Sequence, residues 1–186
     1  MKKRIKFSVR LFLPLVIIAL AANPGWTDAP DPCGLFSQDD AEALMGLEAT
    51  GSRRTDVASP AGKVCAYFFK KDGGAFEAKL RIASDGEISA EGIYESAADV
   101  FIRQMRTRKK HDYAKSKYRE LEWPEVQAFW NGSSVWALKE DLLFIISVNA
   151  PLNGSFSSQE EADAAKEEKS LNLSLAVLET ALKRLN

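Results

Sequence analysis

The chain switches between two hydrophobic periods, and each switch marks an element. From Ser37 to Gly46 the pattern is helical. Ser37 is placed to cap, Asp40 follows three residues on, and Ala41, Leu44 and Met45 form an apolar face before Gly46. From Lys63 to Lys70 the period drops to two, with Val64, Ala66 and Phe68 alternating with Cys65, Tyr67 and Phe69. A second strand runs from Ala75 to Ala83, where Phe76, Ala78, Leu80 and Ile82 alternate with Glu77, Lys79 and Arg81. Lys71-Asp72-Gly73-Gly74 between them tolerates positive φ and predicts a hairpin.

The helical period returns from Ser89 to Lys110, with Ile93, Ala97, Val100, Phe101 and Met105 on one face. Three strands follow: Val126 to Trp130, Ser134 to Leu138, and Leu142 to Val148, joined through Asn131-Gly132 and Lys139-Glu140-Asp141. After a break at Pro151 to Ser157, a helix from Ser158 to Leu185 carries Leu171, Leu175, Leu178, Leu182 and Leu185 at alternating four- and three-residue steps. The predicted order is α-β-β-α-β-β-β-α. This is an α+β fold, one antiparallel sheet of about five strands with helices packed mainly on one face.

The start of the chain obeys neither period. Lys2, Lys3, Arg4, Lys6 and Arg10 precede an apolar run from Leu11 to Ala22, the arrangement of a secretory signal peptide. The run contains Pro14 and falls short of the roughly 20 apolar residues a membrane span needs. Ala19-Leu20-Ala21 supplies the small-x-small pattern for cleavage after Ala21. The expected organisation is a signal peptide at 1–21, an extended leader at 22–32 and a single domain at 33–186, with no integral membrane span in the mature chain. Cleavage removes five basic residues and no acidic ones, leaving 20 basic against 26 acidic, a formal charge of −6. That balance argues against nucleic acid as the main partner.

The two cysteines, Cys33 and Cys65, leave no third thiol unmatched. In an exported chain they are expected to form a disulfide, and the expected location is periplasmic or extracellular.

Asp31-Pro32-Cys33-Gly34-Leu35-Phe36-Ser37 leading into a short helix, then Cys65-Ala66-Tyr67 on the first strand, resembles small secreted bacterial domains of unknown function, many of them lipoproteins. The resemblance continues through the aromatic-rich hairpins of Val126 to Val148 and the closing amphipathic helix. Such domains are similar in outline to the PsbP-like sandwich of photosynthetic extrinsic subunits, which implies binding or scaffolding rather than catalysis. Here the lipidation cysteine is missing: Cys33 lies well beyond the end of the apolar run.

Candidate chemistry is sparse. His111 is the only histidine and sits in a charged stretch away from any nucleophile motif. There is no phosphate-cradling glycine loop and no zinc pattern, so no cofactor or metal is expected. The acidic pairs Asp39-Asp40, Glu160-Glu161 and Glu167-Glu168 read as dipole partners and solvated helix faces. Two surface features remain. One is a basic cluster, Arg103, Arg106, Arg108, Lys109, Lys110, Lys115, Lys117 and Arg119, able to dock an anionic partner. The other is the aromatic set Trp123, Trp130 and Trp136, which would stack a ligand if exposed and the sheet core if not. The expected function is a non-enzymatic binding domain of the cell envelope, its partner an envelope protein, a polymer or a small apolar ligand. One alternative is a lipid or small-ligand carrier with a pocket between the sheet and the C-terminal helix. A second is a hydrolase, which would need titratable groups to converge in the fold.

Overall fold

The computed structural model describes residues 28–185. The predicted signal peptide, residues 1–21, lies outside the described residues. The chain runs α1 (Pro32–Leu35), α2 (Gln38–Met45), β1 (Ala49–Ala58), β2 (Ala61–Lys71), β3 (Gly74–Ser84), α3 (Asp85–Glu91), α4 (Ala97–Lys110), α5 (Asp112–Lys115), β4 (Arg119–Trp123), β5 (Val126–Trp130), β6 (Val135–Lys139), β7 (Leu142–Asn149) and α6 (Gln159–Leu185). The fold is α+β. Its seven strands form one antiparallel sheet in the order β1-β2-β3-β7-β6-β5-β4.

The sheet has seven strands rather than about five because both edge strands escape the hydrophobic pattern. β1 (ATGSRRTDVA) is exposed along almost its whole length, and β4 (RELEW) offers only two apolar residues. The single helix expected from Ser89 to Lys110 is two helices. Ser84 starts α3 with a capping box to Glu87, and Gly92 ends it in the left-handed region at φ 76°. Ser96 then caps α4. Asp85 accepts a hydrogen bond from the Ala97 backbone N–H at 2.7 Å, which ties the two helix starts together. Ile93, assigned to the apolar face by spacing, sits in the break and is 59% exposed.

Helices cover both faces of the sheet, a correction to the one-sided arrangement expected. The cause lies in the central strands, which are apolar on both sides and must be covered on both. In β7, Leu142, Phe144, Ile146 and Val148 join the larger core with α1, α2 and α6, while Leu143 and Ile145 join a second core under α3 and α4. β5 and β6 divide in the same way. Val126, Ala128, Trp130, Val135 and Ala137 face α6, whereas Phe129, Trp136 and Leu138 face α4. On α6 the leucine stripe is buried as expected at Leu171, Leu178 and Leu182, widened by Ser174, Val177 and Ala181.

The N-terminal helices are tied both to the sheet and to α6. Cys33 in α1 is disulfide-bonded to Cys65 on β2, with a Cα–Cα distance of 5.2 Å. Ser37 forms the capping box expected with Asp40, and the Asp40 carboxylate also pairs with Arg184 near the end of α6. Beside them the Tyr67 hydroxyl donates to the Phe36 carbonyl at 2.9 Å, and the two rings meet edge to face.

Candidate functional site

The site begins with a mismatch of strand lengths. β7 pairs with β3 along its full length, from Leu142 to Asn149. On its other side it pairs with β6 only from Leu142 to Ile146, because β6 starts at Val135. Ser147, Val148 and Asn149 therefore run past the end of β6. Beside this tail lies a cleft of about 710 Å³.

Besides the β7 tail, Glu77 of β3 and Lys117, four segments wall the cleft. The β5–β6 turn contributes Asn131, Gly132 and Ser133, α4 contributes Arg108, α5 contributes Tyr113 and Ala114, and the N-terminal half of α6 contributes Asp163, Lys166, Glu167 and Ser170. The turn is rigid: the buried Asn131 side chain accepts from the backbone N–H groups of Ser133 at 2.9 Å and Ser134 at 2.8 Å. Gly132, at φ 96°, is there for closeness as well as conformation. A Cβ on it would lie 2.8 Å from the Cβ of Lys117, which packs against the turn.

Glu167 organises the polar side of the cleft. Its carboxylate accepts from Lys117 Nζ at 2.5 Å, Trp130 Nε1 at 3.3 Å and Arg119 Nη2 at 3.4 Å, and its side chain is only 10% exposed. The acidic start of α6 is thus no merely solvated face. Glu167 fastens the helix to the sheet edge, and Glu168 adds a 2.7 Å ion pair to Arg119. The hydrogen bond from Lys117 to Glu167, reinforced by their charge attraction, holds the lysine above its ordinary pKa, further into its charged range. A second groove, lined by Ser116, Lys117, Arg119 and residues from Gln159 to Glu168, shares Lys117, Asp163 and Glu167 with the cleft, so the first turns of α6 stand between two grooves.

The structure splits the basic cluster. Arg103 pairs with Asp99 at 2.7 Å, Lys109 pairs with Glu120 while its ammonium lies 5.1 Å from the centre of the Tyr118 ring, and Lys117 and Arg119 pair with α6. Arg106, Arg108, Lys110 and Lys115 make no ion pair among the described residues. Of these, only Arg108 lines the cleft. Lys166, on the facing helix, is likewise without an ion pair among the described residues and lines the same space.

The tryptophans form no shared surface. Trp130 is fully buried beneath α6, Trp123 packs partly buried on the same side, and Trp136 is 8% exposed on the opposite face, stacked on Phe129 at 6.1 Å. The strand register separates them, since consecutive residues alternate faces. Trp130 touches the cleft only through its hydrogen bond to Glu167. His111 is exposed at the junction of α4 and α5.

The strand tail at Ser147–Asn149 and the role of Glu167 were not read from the sequence. Strand overhang depends on where a partner strand stops, which no local pattern encodes. Glu167 offered a weak signal, as it falls one turn before Leu171 on the stripe that faces the sheet.

Among the described residues no helix is long and apolar enough to cross a membrane, and no group of three or more His, Cys, Asp or Glu side chains could hold a metal ion. The fold and site define an α+β domain with a polar cleft at a strand overhang. Comparison with protein-family models, with curated proteins and with solved structures finds no match.

Proposed function

We propose that this is an exported, non-enzymatic binding domain of the cell envelope, and that its cleft takes an extended peptide segment carrying a carboxylate from another envelope protein. One observation carries the reading: β7 runs three residues past β6, and that tail lines a cleft also lined by a guanidinium, Arg108, with no ion pair among the described residues. A strand end lacking one neighbour is where a peptide can add, and a guanidinium matches a carboxylate in a bidentate fashion. Tyr113, Ala114 and Val148 are the only residues of the lining with apolar side chains. Such a wall suits a peptide better than a lipid tail. Further along α6 its interface with the sheet is packed with Leu171, Val177 and Leu178, so the carrier alternative would have to use this same cleft, whose lining is mostly polar.

Lys117 supports binding over proton transfer, because its neighbours strengthen its charge where a general base would need it weakened. The Cys33–Cys65 disulfide fits an oxidising compartment, and the resemblance to small secreted bacterial domains of unknown function, similar in outline to the PsbP-like sandwich, implies a binding or scaffolding role. The test is affinity capture from native envelope extract with wild type, Arg108→Glu and Lys115→Glu. Lys115 lies outside the cleft lining and serves as the charge control. The expected result is a protein recovered with wild type and Lys115→Glu and lost with Arg108→Glu. Equal recovery with all three, or capture of none, overturns the reading.

A further inference from the structure

β1 is a free sheet edge of an unusual kind. It pairs with β2 from Ala49 to Ala58, no strand lies on its other side among the described residues, and every residue from Thr50 to Asp56 is exposed. Such an edge presents main-chain donors and acceptors to any chain that can align with it. The side chains along it decide which chain that is.

We propose that β1 pairs antiparallel with β1 of a second copy, about a two-fold axis passing through Thr55, to make one continuous sheet across a dimer. Two identical strands related in this way require an axis perpendicular to the sheet. Residues facing each other then lie on the same sheet face, so the register must be centred on a residue rather than between two. Few centres are available within the exposed stretch. An axis through Arg53 or Arg54 sets two guanidiniums opposite each other, and an axis through Asp56 opposes two carboxylates. An axis through Ser52 gives a ladder as long as one through Thr55 but opposes no unlike charges within the strand, and an axis nearer either end shortens the ladder. Centred on Thr55, Arg54 of each copy faces Asp56 of the other, giving two symmetric ion pairs around a Thr–Thr contact, both favoured kinds of cross-strand pair.

The monomer leaves these groups available. The Arg54 side chain is 61% exposed, and its 3.2 Å contact with Asp31 uses only one edge of the guanidinium. Asp56 is exposed and makes no ion pair among the described residues. Arg54 and Asp56 both lie on the α1 side of the sheet, opposite Cys65 and Lys63 respectively.

Sedimentation analysis over a range of concentrations tests this on the mature protein. Wild type is expected to be a monomer–dimer equilibrium. Arg54→Asp, which turns two attractions into two repulsions, is expected to weaken the dimer about thirtyfold. The combined exchange Arg54→Asp with Asp56→Arg should restore it. Thr55→Cys should oxidise to a covalent dimer, since directly opposed strand residues lie within disulfide reach, while Arg53→Cys should not. These sites are solvent-exposed, so the variants are expected to keep the fold, and circular dichroism with thermal melting checks that each does. A wild type that stays monomeric throughout, an Arg54→Asp protein that dimerises like wild type, an exchange that does not restore the dimer, or equal cross-linking through Arg53→Cys each overturns the proposal.

Discussion

On one side of β7 the strands are long: β1, β2 and β3 span 10, 11 and 11 residues. On the other side β4, β5 and β6 span five each, and the eight-residue β7 joins the two halves. The long half is fastened covalently, by the disulfide from α1 to β2. The short half is fastened by burial and charge, through Trp130 under α6 and the bonds that Glu167 makes to Lys117, Arg119 and Trp130. Because the halves differ in length, the seam between them cannot close, and the tail of β7 is left beside a cleft. A site here costs no strain in the core. It arises where a long strand outruns a short neighbour.

The sharpest way to break the comparison is to remove the anchor of the short half. Trp130→Ala empties a fully buried position and is expected to destabilise by about 3 to 5 kcal/mol, read by urea unfolding. If the two halves form one cooperative unit, the loss appears as a single transition. A separate early transition confined to β4–β6 would divide the halves more deeply than their shared cores imply.

Cutting the staple of the long half should cost slightly less. With a sequence separation of 32 between Cys33 and Cys65, replacing both with serine is expected to remove about 3 to 4 kcal/mol on the chain-entropy argument. Hydrogen exchange sharpens the contrast. Amides of α1 and β2 should lose protection most, and those of β5 and β6 least.

The smallest effect concerns Asp40, where α2 meets the end of α6. Burial alone would raise its carboxyl, but hydrogen bonds from Arg184 and Ser37 outweigh this and hold it below its ordinary value of 3.8. A carboxyl depressed by folding contributes stability that is present above the unfolded-state pKa and is lost as pH falls through the folded one. Asp40→Asn is therefore expected to cost about 1 kcal/mol at neutral pH. The gap to wild type should close in thermal melts as the pH drops below 3.8. A gap that stays constant with pH would assign the loss to capping geometry alone.

What could be read from the residues depended on whether local periodicity carried the information. The hairpin of β2 and β3, the three strands β5 to β7, the capping box at Ser37 and the leucine stripe of α6 all repeat within a few residues, and all stand where the pattern put them. The cystine joins the two cysteines expected to pair. β1 was invisible because an exposed edge needs no apolar alternation, and the double-sided core because Leu142 through Val148 reads as one buried run whichever face is covered. The basic cluster was legible as a charge run but not as a site. Only its folded neighbours, Asp99, Glu120, Glu167 and Glu168, tell its paired members from Arg108.

The cleft is most directly tested by placing a photo-cross-linking amino acid at Tyr113, an 86% exposed residue of its lining, and separately at Ile93, a 59% exposed residue outside it. Irradiation of intact cells is expected to join one envelope protein to position 113 and not to position 93, with the product lost when Arg108→Glu is added. Identical products from the two positions, or a product at 113 that survives Arg108→Glu, would contradict the account.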